Sequence, residues 1–506
     1  MDSRILGRGR LVGLSVVLAL VGCTGASQRV APEPRQAGDP WFRKGQERLA
    51  VAAARSPVVG AAKNVILFVG DGLDVATVTA ARIYDGQKRG GSGEENELSF
   101  ERMPHRALLK TYNTNQQVAD SAGAGTALLA GVKTKAGMIG LSDGAVRGDC
   151  ASAAGNEVSS IFALAQEAGL ATGIVTTARL THATPAATFG HSPERNWEAD
   201  SDMPASAVRA GCVDLARQFV EGDVGSSLTV ALGGGRGYFL PDDVYGPDGE
   251  SGLRADERDL TVEWKRKHPD GRYVTNREEL LAARPADAEQ VFGLLGADHM
   301  AFEADRSGGS EPSLAEMTSK ALDFLERSDD GYLLLVEGGR IDHAHHYDNA
   351  YRALEGTVEL ADAVDVALDR TNPADTLVIV TSDHGHTLTI SGYPTRGNPI
   401  LGLVVGNDDS GRPEKRPTLG RDGKPFTTLA YANGPSAPRG ARTDLTGVDT
   451  TASSFQQPST VPLSMETHGG ADVPSYARGP MAHLLSGTAE QSYVFHVIRH
   501  ALGDVD

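Results

Sequence analysis

The stretch YLLLVEGGRIDHAHH, residues 332–346, carries the strongest structural signal in this chain. Its first five residues are apolar and typical of a buried strand, and the following ten contain five side chains that can bind a metal ion. These five are Glu337, Asp342, His343, His345 and His346. Packing alone does not explain so many ligands directly after a strand, so the stretch predicts a metal site at the strand's carboxyl end.

Two other apolar runs end in the same way. NVILFVGDG, residues 64–72, leads to Asp71, and TLVIVTSDHGH, residues 376–386, leads to Asp383 and His384. Open α/β sheets place their sites at the carboxyl edge of parallel strands, and such strands are apolar throughout because both faces are buried. Three strands of this kind predict one shared metal centre.

Strand and helix patterns alternate along the rest of the chain, which predicts an α/β fold with a mostly parallel central sheet flanked by helices on both faces. The predicted strands are 65–69, 107–112, 172–176, 228–232, 332–336, 377–381 and 402–405. The predicted helices are 156–168, 313–327, 350–369 and 491–501. Residues 241–275 and 397–460 are rich in turn-forming residues and are predicted to be loop-rich insertions.

The N-terminus has the composition of an export signal. Three arginines precede an apolar run that is shorter than the ~20 residues of a membrane span, which predicts a signal peptide over 1–22. The sequence LVGC resembles a bacterial lipid-attachment box ending on Cys23, although an ordinary signal cleaved elsewhere remains an alternative. Residues 23–40 would form a flexible tether, followed by a catalytic domain over 41–506. We therefore expect an exported, periplasmic or cell-surface lipoprotein attached to a membrane.

Charge and cysteine content narrow the possible partners and environment. The net charge of −18, without a long basic run, argues against nucleic acid as a specific partner. Cys150 and Cys212 form an even pair in a chain directed to export, which favours a disulfide. Free thiols remain possible at this stage, because the sequence does not show that the two residues approach each other.

DSAGAGTALLAG, residues 120–131, places Ser121 where a helix begins. Helix N-termini stabilise an alkoxide or a bound anion, although a capping serine alone would be the commoner explanation. LTHATPAATFGHSPER, residues 180–195, ends on Arg195, whose guanidinium fork suits the oxygens of a phosphate.

Six motifs occur in the order and approximate spacing of alkaline phosphatases, and the resemblance runs from about Trp41 to Ala501. They are DGLD, DSAGAGTA, THATPA, VEGGRIDHAHH, TSDHGH and ETHGGADV. The stretches RNWEADSDMPASA, LGGGRGYF and YARGP are similar to the animal-type branch of that family. The resemblance implies hydrolysis of small phosphate monoesters, two zinc ions, one magnesium ion and a homodimer.

The resemblance also implies three metal sites. A first zinc ion would bind Asp342, His346 and His468, a second would bind Asp71, Asp383, His384 and Ser121, and magnesium would bind Asp71, Glu337 and Thr184 with His182 nearby. Mixed nitrogen and oxygen ligands suit zinc, and oxygen ligands suit magnesium. His343, His345 and His386 are interpreted as supports for the ligands.

In the implied mechanism, Ser121 is the nucleophile of a phosphoserine intermediate, Arg195 clamps the phosphate and Asp120 orients Arg195. Animal-type members carry an additional calcium site. This chain has Leu295 and Gly296 where a carboxylate ligand is expected, so calcium is not among the predicted metals.

Two alternative functions are weighed, one within the enzymes and one from a different class. A phosphodiesterase or sulfatase could share the fold, but the C/S-x-P-x-R context of such sulfatases is missing around Ser121. A zinc-binding lipoprotein without turnover would need neither Ser121 nor Arg195, so the presence of both counts against it.

Overall fold

The computed structural model describes residues 34–306 and 309–503. The predicted signal peptide over 1–22, Cys23 and most of the predicted tether lie outside the described residues. The chain divides into two compact units, one ending at Ser56 and one beginning at Pro57. In the described part of the first unit, Asp39 caps a single helix by accepting hydrogen bonds from the next turn's backbone N–H groups.

The strands, in chain order, are β1 Asn64–Gly70, β2 His105–Lys110, β3 Ala171–Arg179, β4 Val230–Gly234, β5 Arg272–Val274, β6 Val291–Leu294, β7 Tyr332–Gly338, β8 Thr376–Thr381, β9 Gly385–His386, β10 Leu388–Ile390, β11 Leu429–Gly434, β12 Ser459–Pro462, β13 His468–Gly469, β14 Val473–Arg478 and β15 Gly487–Glu490.

The α-helices are α1 Pro40–Ala53, α2 Val75–Lys88, α3 Ser121–Ala130, α4 Cys150–Ala153, α5 Ile161–Glu167, α6 Ala183–Ala186, α7 Ala205–Arg209, α8 Leu215–Glu221, α9 Asp223–Ser226, α10 Leu260–Lys267, α11 Arg277–Ala282, α12 Leu314–Leu325, α13 Arg340–His346, α14 Ala350–Arg370 and α15 Tyr493–Ala501. Short 3₁₀ helices occupy Ser99–Arg102, Asp200–Asp202, Arg236–Phe239, Glu303–Asp305 and Ala482–Leu484.

Within the described residues, a ten-stranded sheet has the order β15-β2-β14-β8-β1-β7-β3-β4-β6-β5. Neighbouring strands are parallel except where β14 runs against β2 and β8. Alternate residues of the central strands enter two separate cores: Ile66 and Phe68 pack with α2, α12 and α14, and Val65 and Leu67 pack with α3, α5 and α15. The predicted mostly parallel sheet with helices on both faces is confirmed.

Some predicted elements differ from the structure. Residues 402–405 do not form a strand, so that prediction was wrong: the run makes an isolated bridge from Leu403 to Thr427 inside the loop-rich segment. The helix predicted over 156–168 begins only at Ile161, because the Ser160 hydroxyl caps it by accepting a hydrogen bond from the N–H of Ala163.

Residues 241–275, predicted as an insertion, contain α10 and the edge strand β5. Cys150 and Cys212 form a disulfide with Cα atoms 5.6 Å apart, which confirms that prediction. Across 34–306 and 309–503, no helix combines the length and apolar character needed to cross a membrane.

Candidate metal centre

The three central strands bring their polar ends together. In the sheet register, Val69 of β1 lies beside Glu337 of β7 and Thr381 of β8, so the residues that follow these strands meet at one edge. Asp71, Glu337 and Asp383 are all fully buried there. The turn after β1 requires a glycine at position 72, where φ is +75° and a Cβ atom would lie 2.5 Å from the His386 ring. The predicted convergence of carboxylates is thus present.

The first predicted ligand set, Asp342, His346 and His468, forms a tight triangle. The Nε2 atoms of His346 and His468 lie 3.3 Å from Oδ2 and Oδ1 of Asp342, respectively, and 3.2 Å from each other. Asp342 and His346 share a face of α13 because they are four residues apart. His468 reaches them because β13 pairs with β9.

The second predicted set converges on Nε2 of His384. This nitrogen lies 3.1 Å from Ser121 Oγ, 3.2 Å from Asp383 Oδ2 and 3.4 Å from Asp71 Oδ1. All four side chains are buried, and Ser121 is the first residue of α3. The hydroxyl and the three ligands therefore face one common point.

The measured distances in both sets are close to those between ligand atoms around a tetrahedral ion. Ligand bonds of about 2.0 Å place the ligand atoms about 3.3 Å apart. In the described part of the chain, Asp71 Oδ1 and Oδ2, Asp383 Oδ2 and His384 Nδ1 are buried and have no hydrogen-bond partner. Buried polar atoms are normally satisfied, so these orphaned oxygens fit a site that a cation would complete.

A third group lies beside the second. Ligand atoms of Asp71, His182 and Glu337 are within 4.8 Å of one another. Thr184 Oγ1 and Glu337 Oε1 are buried and lack a hydrogen-bond partner among the described residues. Thr176, which the sequence motifs did not identify, donates a hydrogen bond to Glu337 Oε2. The oxygen-rich donor set fits a hard cation such as magnesium.

The pKa values of two carboxylates in the site are raised, because several buried carboxylates lie close together. Burial and the neighbouring Asp383 raise the pKa of Asp71 well above its usual value. Burial raises the pKa of Glu337 to about 7, with repulsion from Asp383 adding to it and the Thr176 hydrogen bond opposing it. Bound cations would reverse these shifts by favouring the ionised carboxylates.

Arg195 points toward the same region. Its Nη1 donates to Asp120 Oδ2 at 3.1 Å, and its Nη2 lies 3.2 Å from His182 Nε2. The Asp120 carboxylate also accepts hydrogen bonds from Asn113 and from the N–H groups of Gly123 and Gly137. Burial alone would raise the pKa of Asp120, but Arg195 and these donors hold it below its usual value. Asp120 is therefore a fixed anionic anchor for Arg195.

The other histidines differ in how their nitrogens are used. His345 contacts Thr77 Oγ1 at 3.1 Å and Tyr431 Oη at 2.8 Å, so both of its nitrogens have partners. His386 Nε2 lies 2.7 Å from Asp342 Oδ1, and its Nδ1 lies 2.5 Å from Glu466 Oε2. Sequence reasoning missed Glu466, although it begins the ETHGGADV motif two residues before His468.

Comparison with known proteins gives a consistent result. The model of the alkaline phosphatase family matches residues 62–503. The chain is 44% identical to the tissue-nonspecific alkaline phosphatase of Gallus gallus over 486 residues, which cover 94% of this chain and 91% of the relative. It is 43% identical to an alkaline phosphatase of Gadus morhua over 479 residues, which cover 93% of this chain and 97% of the relative. The solved alkaline phosphatase of Thermus thermophilus superposes with a TM-score of 0.61 at 25% identity, covering 94% of this chain and 96% of that chain.

Proposed function

The chain belongs to the alkaline phosphatase family and is a phosphatase, and from that premise we propose that it hydrolyses phosphate monoesters through a phosphoserine formed on Ser121. The family is metal-dependent, and we propose two zinc ions and one magnesium ion for this chain. The observation that carries the proposal is the placement of Ser121 Oγ within 3.1 Å of His384 Nε2, at the point on which two buried carboxylates also converge.

We assign one metal ion to each of the three groups of ligands. Asp342, His346 and His468 would hold one zinc ion, Asp71, Asp383, His384 and Ser121 the other, and Asp71, Glu337 and Thr184 magnesium, with His182 adjacent. When bound, these ions supply positive charge that lowers the pKa of the Ser121 hydroxyl and of water and stabilises the departing oxygen.

The chain's own residues perform the remaining tasks. Ser121 Oγ gives up its proton to solvent and attacks phosphorus, the Oγ–P bond forms, and the bond from phosphorus to the alcohol oxygen breaks. The alcohol leaves with a proton from solvent. Water then attacks the phosphoserine, which restores the Ser121 hydroxyl and releases inorganic phosphate. The N-terminus of α3 and the guanidinium of Arg195 stabilise the negative oxygens in both steps.

A substrate panel combined with metal analysis tests this function. We expect purified protein to contain zinc and magnesium and to hydrolyse p-nitrophenyl phosphate far faster than bis-p-nitrophenyl phosphate or p-nitrophenyl sulfate. A preference for the diester or the sulfate would favour another hydrolase of the same fold. Stoichiometric zinc without hydrolysis of any ester would favour the zinc-binding alternative.

Arg195→Ala is expected to slow monoester hydrolysis by at least tenfold and to weaken inhibition by inorganic phosphate. The reason is the loss of charge-assisted hydrogen bonds, each worth about 1.5–3 kcal/mol. Diesters carry one fewer negative charge and should lose less. Steady-state kinetics on both ester classes measure the two losses of rate. Arg217→Ala, which removes a surface ion pair to Glu221, is the control. Equal losses on both classes would show that Arg195 does not recognise the second charge of the monoester.

We further propose that the protein is exported, acylated on Cys23 and dimeric. The support is the arginine-flanked apolar run before LVGC and, for the dimer, the family resemblance. Phosphate monoesters in this setting would be small molecules, since the chain's charge of −18 disfavours nucleic acid.

Cys23→Ala is expected to release the protein from membranes without changing its specific activity, because the polar residues 24–40 would separate residue 23 from the catalytic domain. Membrane fractionation and mass spectrometry of the mature N-terminus measure the effect. Wild-type protein that is entirely soluble and carries no acyl group would contradict the lipoprotein prediction.

A further inference from the structure

Glu466 is a buried acidic residue whose two carboxylate oxygens are both engaged. Its exposed fraction is 1%. Oε2 lies 2.5 Å from His386 Nδ1, and Oε1 accepts hydrogen bonds from the N–H and the hydroxyl of Thr387 at 2.7 and 2.6 Å. A buried carboxylate in this setting is stable only because each oxygen has donors. Glu466 is thus fixed in one orientation.

The main chain of Glu466 makes a second set of contacts. Its carbonyl lies 2.5 Å from His346 Nδ1, and its N–H donates to the carbonyl of His346 at 2.9 Å. With Nδ1 donating to that carbonyl, the neutral His346 ring presents Nε2 as an unprotonated nitrogen toward Asp342. One residue therefore fixes both the rotation and the tautomer of His346.

His386 lies between the carboxylate of Glu466 and that of Asp342 and contacts both. The two nitrogens of His386 face Glu466 Oε2 and, at 2.7 Å, Asp342 Oδ1. The imidazole consequently connects the two carboxylates as a rigid spacer. His468, the third member of the first ligand set, follows Glu466 by two residues and pairs with His386 across β13 and β9.

We propose that Glu466 is the positioning residue of the first zinc site, acting on Asp342 through His386 and on His346 through its own carbonyl. This inference rests on the proposed zinc-dependent function. Glu466, His346 and His386 could themselves be taken for a separate metal site, because their ligand atoms lie close together. The hydrogen bonds argue against that interpretation, since both Glu466 oxygens and both His386 nitrogens already have partners.

Glu466→Gln is the sharpest test, because it preserves size, the main-chain contacts with His346 and one oxygen for Thr387. It replaces the oxygen that faces His386 with an amide that cannot serve as a charged acceptor. Changes to groups that orient metal ligands cost about 10–100-fold in metal affinity. We expect zinc affinity at the first site to fall about tenfold in Glu466→Gln and about a hundredfold in Glu466→Ala, with the second site unchanged in both.

The measurement is a zinc titration of metal-free protein against a competing chelator, which resolves the two zinc affinities, together with the thermal midpoint of the metal-free protein. Glu359→Gln is the matched control, because Glu359 is a buried glutamate that contacts Arg306 and the N–H of Leu314 away from the ligand clusters. It should leave both zinc affinities unchanged, whatever its effect on the thermal midpoint. A purely structural role for Glu466 predicts that same result for Glu466→Gln.

A second variant keeps the test decisive if Glu466→Gln does not fold. Thr387→Val removes one donor to Glu466 and should weaken the same zinc site by a smaller factor. Two unchanged zinc affinities in either folded variant would overturn the positioning role. Wild-type protein that binds no zinc would instead contradict the proposed function itself, so the two failures are distinguishable.

Discussion

Ser121→Ala is expected to lower the turnover of phosphate monoesters by several orders of magnitude while the fold and most of the bound metal remain. The variant removes only Oγ, which lies 3.1 Å from His384 Nε2. Helix α3 keeps its N-cap, because the Asp120 carboxylate, and not Ser121, accepts the hydrogen bond from Gly123. Without Oγ, water must attack the ester directly, and the covalent route is lost.

The measurements are steady-state kinetics, zinc content and acid trapping of the enzyme with labelled substrate. Wild-type protein should carry the label on Ser121, and the variant should carry none. Ser475→Ala is the matched control, because Ser475 is also a buried serine and its hydroxyl has no hydrogen-bond partner among the described residues. It should retain normal turnover. Label recovered on any other residue of the wild-type protein would refute the nucleophile assignment.

The central strands were predictable because their residues are almost all apolar, which is typical of strands that are buried on both faces of a sheet. β1, β7 and β8 are apolar at consecutive positions, since alternate residues enter two cores on opposite faces of the sheet. Strand β14 was not predicted. Its sequence VPSYAR contains a proline and polar residues, and its pairing against β2 and β8 depends on tertiary contacts. The wrong strand at 402–405 shows the converse, since a short, partly buried apolar run does not join a ladder.

The metal ligands that directly follow strands were predictable from the sequence. The residues that hydrogen-bond to those ligands were less predictable, because they lie far away in the sequence. Asp71, Glu337 and Asp383 end apolar runs and could be placed at one edge. Glu466 contacts His386 and His346, which are 80 and 120 residues away in the chain. A motif of closely spaced residues does not predict contacts over such distances in sequence. The same holds for Thr176 and Glu337, which are 161 residues apart.

Removing the metal ions is expected to abolish activity and to make the folded protein sensitive to alkali. Chelation leaves Asp71, Glu337, Asp342 and Asp383 buried together without compensating cations. Activity should return on adding zinc and magnesium, because Ser121 and Arg195 are unaffected by chelation. Activity that survives complete removal of zinc would contradict the metal-dependent mechanism.

The sensitivity to alkali follows from His386. Burial would lower the pKa of this imidazole, but the hydrogen bonds to Asp342 and Glu466 raise it to about 10 in the metal-free protein. The unfolded chain has the ordinary value of 6.5. Between these two values the folded protein binds a proton that the unfolded chain does not. Stability therefore falls as pH rises, by about 1.4 kcal/mol per pH unit.

The other titratable groups of the metal site do not cancel this slope between pH 7 and pH 9. Histidines such as His182 and His384, whose pKa values are lowered by burial, are neutral in both states above pH 7. Glu337, with a pKa raised to about 7, and His346, with a raised pKa, both act in the same direction as His386. The free energy of unfolding of the metal-free protein should consequently drop by about 3 kcal/mol from pH 7 to pH 9.

Urea unfolding at pH 7, 8 and 9, with chelator or with saturating zinc and magnesium, measures the effect. The metal-loaded protein should show a smaller slope, because nearby cations lower the pKa of His386 toward its value in the unfolded chain. Glu466→Gln should also flatten the slope of the metal-free protein, since it removes one of the two carboxylates that raise the pKa of His386. A metal-free wild-type protein whose unfolding free energy is constant from pH 7 to pH 9 would show that His386 does not retain its proton between the two carboxylates.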